Sequence, residues 1–252
     1  KQVYSFQDML EIKFPIPQFF LGDHNMGLVG QGMITLIHGP TNLGKTYFST
    51  QMAYCISTGR PFLGLPSRKA KVLVLQGELP RGMFANSRLK PIVLAGYEIP
   101  EGLLFLNFPW DLAESSKFKE TFSDGAWRGF TELIKLVDRY EPEVIVIDPL
   151  QSYNNLVESS NDQNREFMKR LKKVAMEYNL AIVAVDHDKK DTDGGVGDIR
   201  GASAKSDLVD TVLGLRPVEG KQEISFHYDK VRYINKAKPG PRSFGTVRTT
   251  PV

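Results

Sequence analysis

The chain has 252 residues, 41% of them hydrophobic and 24% charged, with a formal net charge of +3, a balance that suits one α/β domain with appendages. No apolar run approaches the ~18 residues of a membrane span and no secretory leader pattern opens the chain, so a cytoplasmic (intracellular) protein without membrane contact is expected. The single cysteine, Cys55, excludes a disulfide within the chain, and histidines at 24, 38, 187 and 227 lack metal-ligand spacing, which argues against a structural zinc.

A start at Lys1 rather than Met is expected either of a piece cut from a longer protein or of a trimmed chain. Residues 1–32 are expected to be an N-terminal arm or surface segment. Phe14-Pro15-Ile16-Pro17 and Phe19-Phe20-Leu21-Gly22 stiffen the approach to the first core strand, packed on the domain surface or docked on a neighbouring subunit. From Met33, MITLIHGPTNLGKTYFST reads as a buried strand, a glycine-bounded loop and a helix start. Gly39-Pro40-Thr41-Asn42-Leu43-Gly44-Lys45-Thr46 fits G-x-x-x-x-G-K-[ST] at every required position. In such a loop backbone N–H groups cradle phosphate, the lysine (Lys45) reaches the β- and γ-phosphates and the hydroxyl (Thr46) binds Mg²⁺. Tyr47, next in line, is grouped with the nucleotide-binding residues. The following helix is expected to be amphipathic, with Phe48, Met52, Cys55 and Ile56 inward and Gly59 as its stop, and its dipole favours the same anion.

Lys71 to Leu75 is a buried strand leading to Gln76-Gly77-Glu78, which places a carboxylate where open α/β sheets bind ligands. Glu78 is thus a candidate for orienting or deprotonating an attacking water. Pro80 to Gly96 reads as a loose helix broken by Pro91, and Leu103 to Leu106 as a further strand. Phe130, Leu133, Ile134 and Val137 fall at i, i+3, i+4 and i+7 of a helix over 124–140, with Asp124 as a possible cap. Val144 to Ile147 and then Asp148 have the Walker B form, an apolar strand ending in the carboxylate that holds Mg²⁺.

A second helix carries Phe167, Leu171, Val174, Ala175 and Tyr178 inward and Arg165, Lys169, Arg170, Lys172 and Lys173 outward; such a charge run usually faces solvent. Leu180 to Val185 is a buried strand closed by Asp186-His187, and the glycine-rich loop at 192–197 reads as a mobile segment on the ligand edge. A small-residue helix from Arg200, a strand over 211–215, a hairpin (222–228 with 230–234) and a basic C-terminal tail (236–252) complete the chain. Residues 221–252 hold seven Lys/Arg against two acids, a weak pointer to nucleic acid.

In this order, strand, phosphate loop, helix, then strands ending in Glu, Asp and His, the chain resembles the RecA-type P-loop ATPase core. Within that group it is most similar to the RepA-type hexameric replicative helicases of plasmids and mobile elements. The resemblance is carried by His38-Gly39-Pro40 to Lys45-Thr46, Pro61-Phe62-Leu63-Gly64, Leu73-Val74-Leu75 to Glu78 with Arg88, Val146-Ile147-Asp148-Pro149-Leu150, Val185-Asp186-His187 with Lys189 or Lys190, and Arg200-Gly201-Ala202-Ser203. It implies an α/β fold with a mostly parallel sheet flanked by helices and a C-terminal β-hairpin, the ATPase domain running over 33–235. It also implies that Glu78 is the catalytic base and that His187 senses the γ-phosphate. ATP and Mg²⁺ would be the cofactors, and loops after Asp148 and His187 would face single-stranded DNA in a hexameric ring. A neighbouring subunit would complete each ATP site in trans, with Lys230, Arg232 or Arg200 as the finger.

The family often writes two histidines where this chain has Asp186-His187, and some members have an arginine where Asp210 stands, on the helix as the sequence reads; the second departure leaves the finger open. Two other activities share this core: a RecA/RadA-like recombination or repair mediator, and a regulatory switch ATPase with a protein partner. Tyr153 is an aromatic that could stack bases.

Overall fold

The computed structural model describes residues 3–11, 18–107, 112, 128–154, 161–188, 202–221, 223–234 and 243–248. A short helix, α1 (Phe6–Glu11), precedes a hairpin of β1 (Phe19–Gly22) and β2 (Met26–Gly30), then β3 (Ile34–His38) and α2 (Lys45–Thr58). Next come β4 (Val72–Gln76), a helical run of α3 (Arg81–Phe84), a π-helical turn (Ala85–Leu89) and α4 (Lys90–Leu94), and β5 (Leu103–Leu106). Then follow α5 (Arg128–Tyr140), β6 (Val144–Asp148), a 3₁₀ turn (Leu150–Tyr153), α6 (Asn161–Glu177) and β7 (Ala181–Val185). The described chain closes with α7 (Ala202–Leu208), β8 (Thr211–Pro217), β9 (Glu223–Val231), β10 (Tyr233–Ile234) and β11 (Ser243–Arg248).

The main sheet has the order β11-β9-β8-β3-β7-β6-β4-β5; the six strands from β8 to β5 are parallel, and β9 and β11 add antiparallel pairs at one edge. Strands buried on both faces need apolar side chains at every position, and VIVI of β6 meets that demand with β-branched residues. Ile145 and Ile147 join Phe130, Leu133 and Val137 of α5 and Phe167, Met168, Leu171 and Val174 of α6 in one core. Val144 and Val146, one residue out of phase, pack on the opposite face with Phe48, Met52 and Ile56 of α2 and Phe20 and Leu28 of the β1–β2 hairpin. The fold class expected from the sequence is thus the one observed, with all the catalytic-type strand ends on one edge of the sheet.

Several local expectations are corrected. Residues 19–30 are not a surface segment: Phe20, Leu21, Leu28 and Val29 are fully buried, and β2 pairs with β10 to tie this hairpin to the end of the core. α2 is buried over most of its surface rather than amphipathic, with Phe62, Ala70 and Phe226 joining Phe48, Met52 and Ile56 in one core, and Cys55 is only half-buried. Gly59 does stop it, in the left-handed conformation (φ 76°) with Arg60 N–H donating to Cys55 O at 3.0 Å. Pro91 does not break its helix. The missing donor and the ring's clash with the preceding turn are absorbed by the π-helical turn, in which Lys90 N–H reaches back five residues to Ala85 O.

The hairpin partner of β9 is β8, and β9 runs unbroken through 223–231 where a turn was expected; β11, within the segment read as a tail, extends the same sheet. On α6, Met168 is buried in the place expected of Tyr178, which lies past the helix end and is exposed. Asp210 precedes β8 rather than lying on a helix. Asp124 and the loop at 192–197 lie outside the described residues. Among the described residues no helix is long and apolar enough to cross a membrane.

Candidate active site

β3 ends at buried His38, and the chain turns at Gly39, where a Cβ would stand 2.6 Å from Leu215 O, so only glycine allows the loop this close to β8. Pro40, Thr41, Asn42 and Leu43 carry it to Gly44. Asn42 (φ 62°) and Gly44 (φ 85°) take left-handed conformations, which turn successive backbone N–H groups toward one concavity. Gly44 caps α2 without a side-chain hydrogen bond, leaving the first-turn N–H groups for an anion. Lys45 Nζ donates to Gly39 O (2.8 Å) and Pro40 O (2.6 Å) across the loop it belongs to, and burial lowers its pKa.

In the first turn of α2, Thr46 Oγ1 donates to Asp148 Oδ1 at 3.3 Å, and one turn on Ser49 Oγ donates to Asp148 Oδ2 at 2.6 Å. Burial pushes the Asp148 carboxyl up to about 6, against the pull of those two hydroxyls. A hydroxyl and a carboxylate side by side form a hard-oxygen pair that fits Mg²⁺, which keeps its remaining positions for water and phosphate. Ser49, absent from the sequence reading, orients the carboxylate. Its position three residues after Thr46, on the same helix face, was the available signal.

β4 lies beside β6 with Gln76 level with Asp148, and Gly77 N–H donates to Asp148 O at 3.0 Å. A Cβ at Gly77 would meet Ser152 Cβ at 2.6 Å. This tight crossing brings Glu78, exposed, to the edge where its charge is felt at both Lys45 and Asp148. Tyr153, which packs against Gly77, is fully buried and is not available to stack a base. Tyr47 is half-exposed, with the Arg88 guanidinium 3.6 Å over its ring.

His187 follows β7 and is stapled on both sides. Asp186 N–H donates to Ile37 O (2.8 Å) and Asp188 N–H to Gly39 O (3.2 Å), so the residue sits against the root of the phosphate loop. Asp186 accepts from the His187 backbone N–H (2.9 Å) and pairs with buried Lys205 of α7 (2.6 Å). Sequence reading missed Lys205 because a lone lysine in a small-residue helix has no pattern.

The finger candidates lie elsewhere. Lys230 Nζ donates to Ser206 O (2.7 Å) and Arg232 Nη1 to buried Asp210 (2.9 Å), at the amino-terminal end of β8. That edge is about 13 Å, four strand residues, from the phosphate loop of the same chain. Arg200, Lys189 and Lys190 lie outside the described residues. The basic face of α6 is largely self-paired: Arg165 with Asp207, Arg170 with Glu166, Lys172 with Asp210 and Lys173 with Glu177.

The solved ATPase domain of G40P superposes on the chain with a TM-score of 0.57 at 17% identity, covering 86% of this chain and 81% of that one, and shares its fold. No curated protein sequence matches the chain. A family model described as an AAA domain matches residues 22–193, from the β1–β2 hairpin to just past His187, and so includes the phosphate loop, Glu78, Asp148 and His187. With its RecA-type core and complete phosphate loop, the chain belongs to that AAA domain family of P-loop ATPases.

Proposed function

We propose that this chain is an Mg²⁺-dependent, ATP-hydrolysing motor on single-stranded DNA, the ATPase domain of a replicative helicase from a plasmid, virus or mobile element, working as a hexameric ring. The observation that carries the ATPase reading is the meeting of Lys45, Thr46, Asp148, Glu78 and His187 at the carboxyl ends of four adjacent parallel strands. Lys45 and the α2 N-terminus hold the triphosphate. Thr46 and Asp148 hold Mg²⁺, which when bound neutralises charge on the β- and γ-oxygens. Glu78 aligns water for in-line attack, and His187 contacts the γ-phosphate. The half-exposed ring of Tyr47, backed by Arg88, offers a flat surface to the base.

Assembly in trans is supported by two features. Lys230 and Arg232 stand far from their own phosphate loop, and α1 turns Phe6, Met9 and Leu10 to solvent without burying any residue. The DNA and ring assignments rest on the RepA-type resemblance. The test is ATP hydrolysis with and without single-stranded DNA over a range of protein concentration. Stimulation by DNA, with specific activity rising as protein assembles, is expected; flat, DNA-independent turnover refutes the motor and favours the switch ATPase.

A further inference from the structure

Two strands of the sheet communicate through a third. His38 on β3 pairs with Gly214 on β8, and β8 in turn pairs with β9, yet the His38 ring reaches past β8 to Asp229 of β9. It does so through the space that Gly214 leaves: a Cβ there would stand 2.4 Å from Asp229 Oδ2 and 3.1 Å from His38 Nε2. On its other side, His38 Nδ1 lies 2.7 Å from Asp188 Oδ1, matching the 2.7 Å from Nε2 to Asp229 Oδ2. Both partners are carboxylates, which only accept when ionised, so both ring nitrogens carry protons and the ring is an imidazolium. Arg216 completes the chain by donating to Asp229 Oδ1 at 2.6 Å.

Asp188 is the residue after His187, and its own N–H is bound to Gly39 O. We propose that His38 is a positioning residue of the nucleotide site: clamped between Asp188 and Asp229, it fixes His187 against the phosphate loop and ties that contact to the β8–β9 hairpin. The proposal deepens the ATPase reading and rests on it. A shift of His187 on loss of the γ-phosphate pulls on Asp188. The clamp passes that pull across β8 to β9, the strand that carries Lys230 toward the far edge. A buried and a part-buried hydrogen bond sharing one cationic ring transmit displacement better than a loop, because they have few alternative arrangements.

The charged groups that face the ring are Asp188, just past β7, and Asp229 of β9; beyond them, Lys45 of α2 feels the charges of Asp188 and Asp186, and Arg216 of β8 and His227 of β9 interact with Asp229. Burial by itself lowers the pKa of His38; the hydrogen bonds and charges of Asp188 and Asp229 overcome it and raise the pKa to about 9.

The experiment measures ATP hydrolysis and binding of a fluorescent ATP analogue (mant-ATP) by the full chain, as wild type, His38→Gln and Asp229→Asn, across pH 6.5 to about 9.5. Both variants are expected to keep KM and mant-ATP affinity within about threefold while kcat falls at least about tenfold. Wild-type kcat declines as pH rises through about 9, and His38→Gln lacks that limb. Should His38→Gln fail to fold, the shape-conserving Asp229→Asn decides. Unchanged kcat in the folded variants of an active wild type overturns the positioning role alone. A wild type that neither binds nor hydrolyses ATP removes the ATPase reading and the positioning role together. Histidine ¹⁵N NMR at a pH of about 8 checks the clamp independently, and a neutral His38 ring there overturns it.

Discussion

The charge on His38 makes a stability prediction that needs no nucleotide. The ring is buried, and its pKa rises from 6.5 to about 9 on folding because Asp188 and Asp229 outweigh the cost of burial. A shift of about 2.5 units corresponds to about 3 kcal/mol of linkage. The folded-state pKa is the higher one, so this contribution is fully present below pH 6.5 and is lost as pH rises through about 9. Urea denaturation of wild type and His38→Gln at about pH 6 and about pH 10 isolates it, since groups that titrate alike in both proteins cancel in the difference. The stability gap between the two proteins should shrink by about 3 kcal/mol between those pH values, or roughly 6–12 °C in Tm for a chain of this size. A gap that does not change with pH refutes the imidazolium assignment, however large the gap is.

Glu78→Gln should retain mant-ATP binding and lose turnover by at least about a hundredfold; unimpaired turnover removes Glu78 from the mechanism. Ser49→Ala, which frees Asp148 Oδ2, should weaken Mg²⁺ affinity by about 10–100-fold in a metal titration of ATPase activity while leaving the fold unchanged by circular dichroism. Gly214→Ala places a methyl 2.4 Å from Asp229 Oδ2 and should cost about 1–3 kcal/mol in urea denaturation; a neutral result would mean that β8 and β9 separate easily. Mixing Lys45→Ala with a Lys230→Ala or Arg232→Ala protein should restore part of the lost turnover if the finger acts in trans, and no restoration with either would leave Arg200 as the candidate.

The parallel core was legible because its strands are apolar on both faces: KVLVL, VIVI and LAIVAV admit few other readings, and each ends in a residue whose position at the sheet edge follows from the strand itself. The phosphate loop was legible for the same reason, as a motif in its required context. What was missed depends on contacts distant in sequence. Phe20 and Leu28 look like an apolar arm until β10, some 200 residues later, pairs with their hairpin. Ser49 and Lys205 acquire a role only when β6 and β7 are laid beside α2 and α7. His38 was quoted with the loop it precedes, but its meaning comes from Asp188 and Asp229, 150 and 191 residues away. The α6 lysines illustrate the reverse: a pattern that suggests nucleic acid in sequence is largely taken up by neighbouring carboxylates in the fold.

The wiring of the sheet also sets when the site comes into being. β3, which carries the phosphate loop, has only β7 and β8 as neighbours, at residues 182 and 211 opposite Ile34 and Thr35. On a ribosome the loop sequence emerges well before β7 and β8, the strands that β3 pairs with in the sheet. Closure over roughly 150 residues is slow and comes late in folding. Closing the nucleotide site therefore waits on β7 and β8, and a fragment that contains the phosphate loop but lacks those strands would leave β3 unpaired.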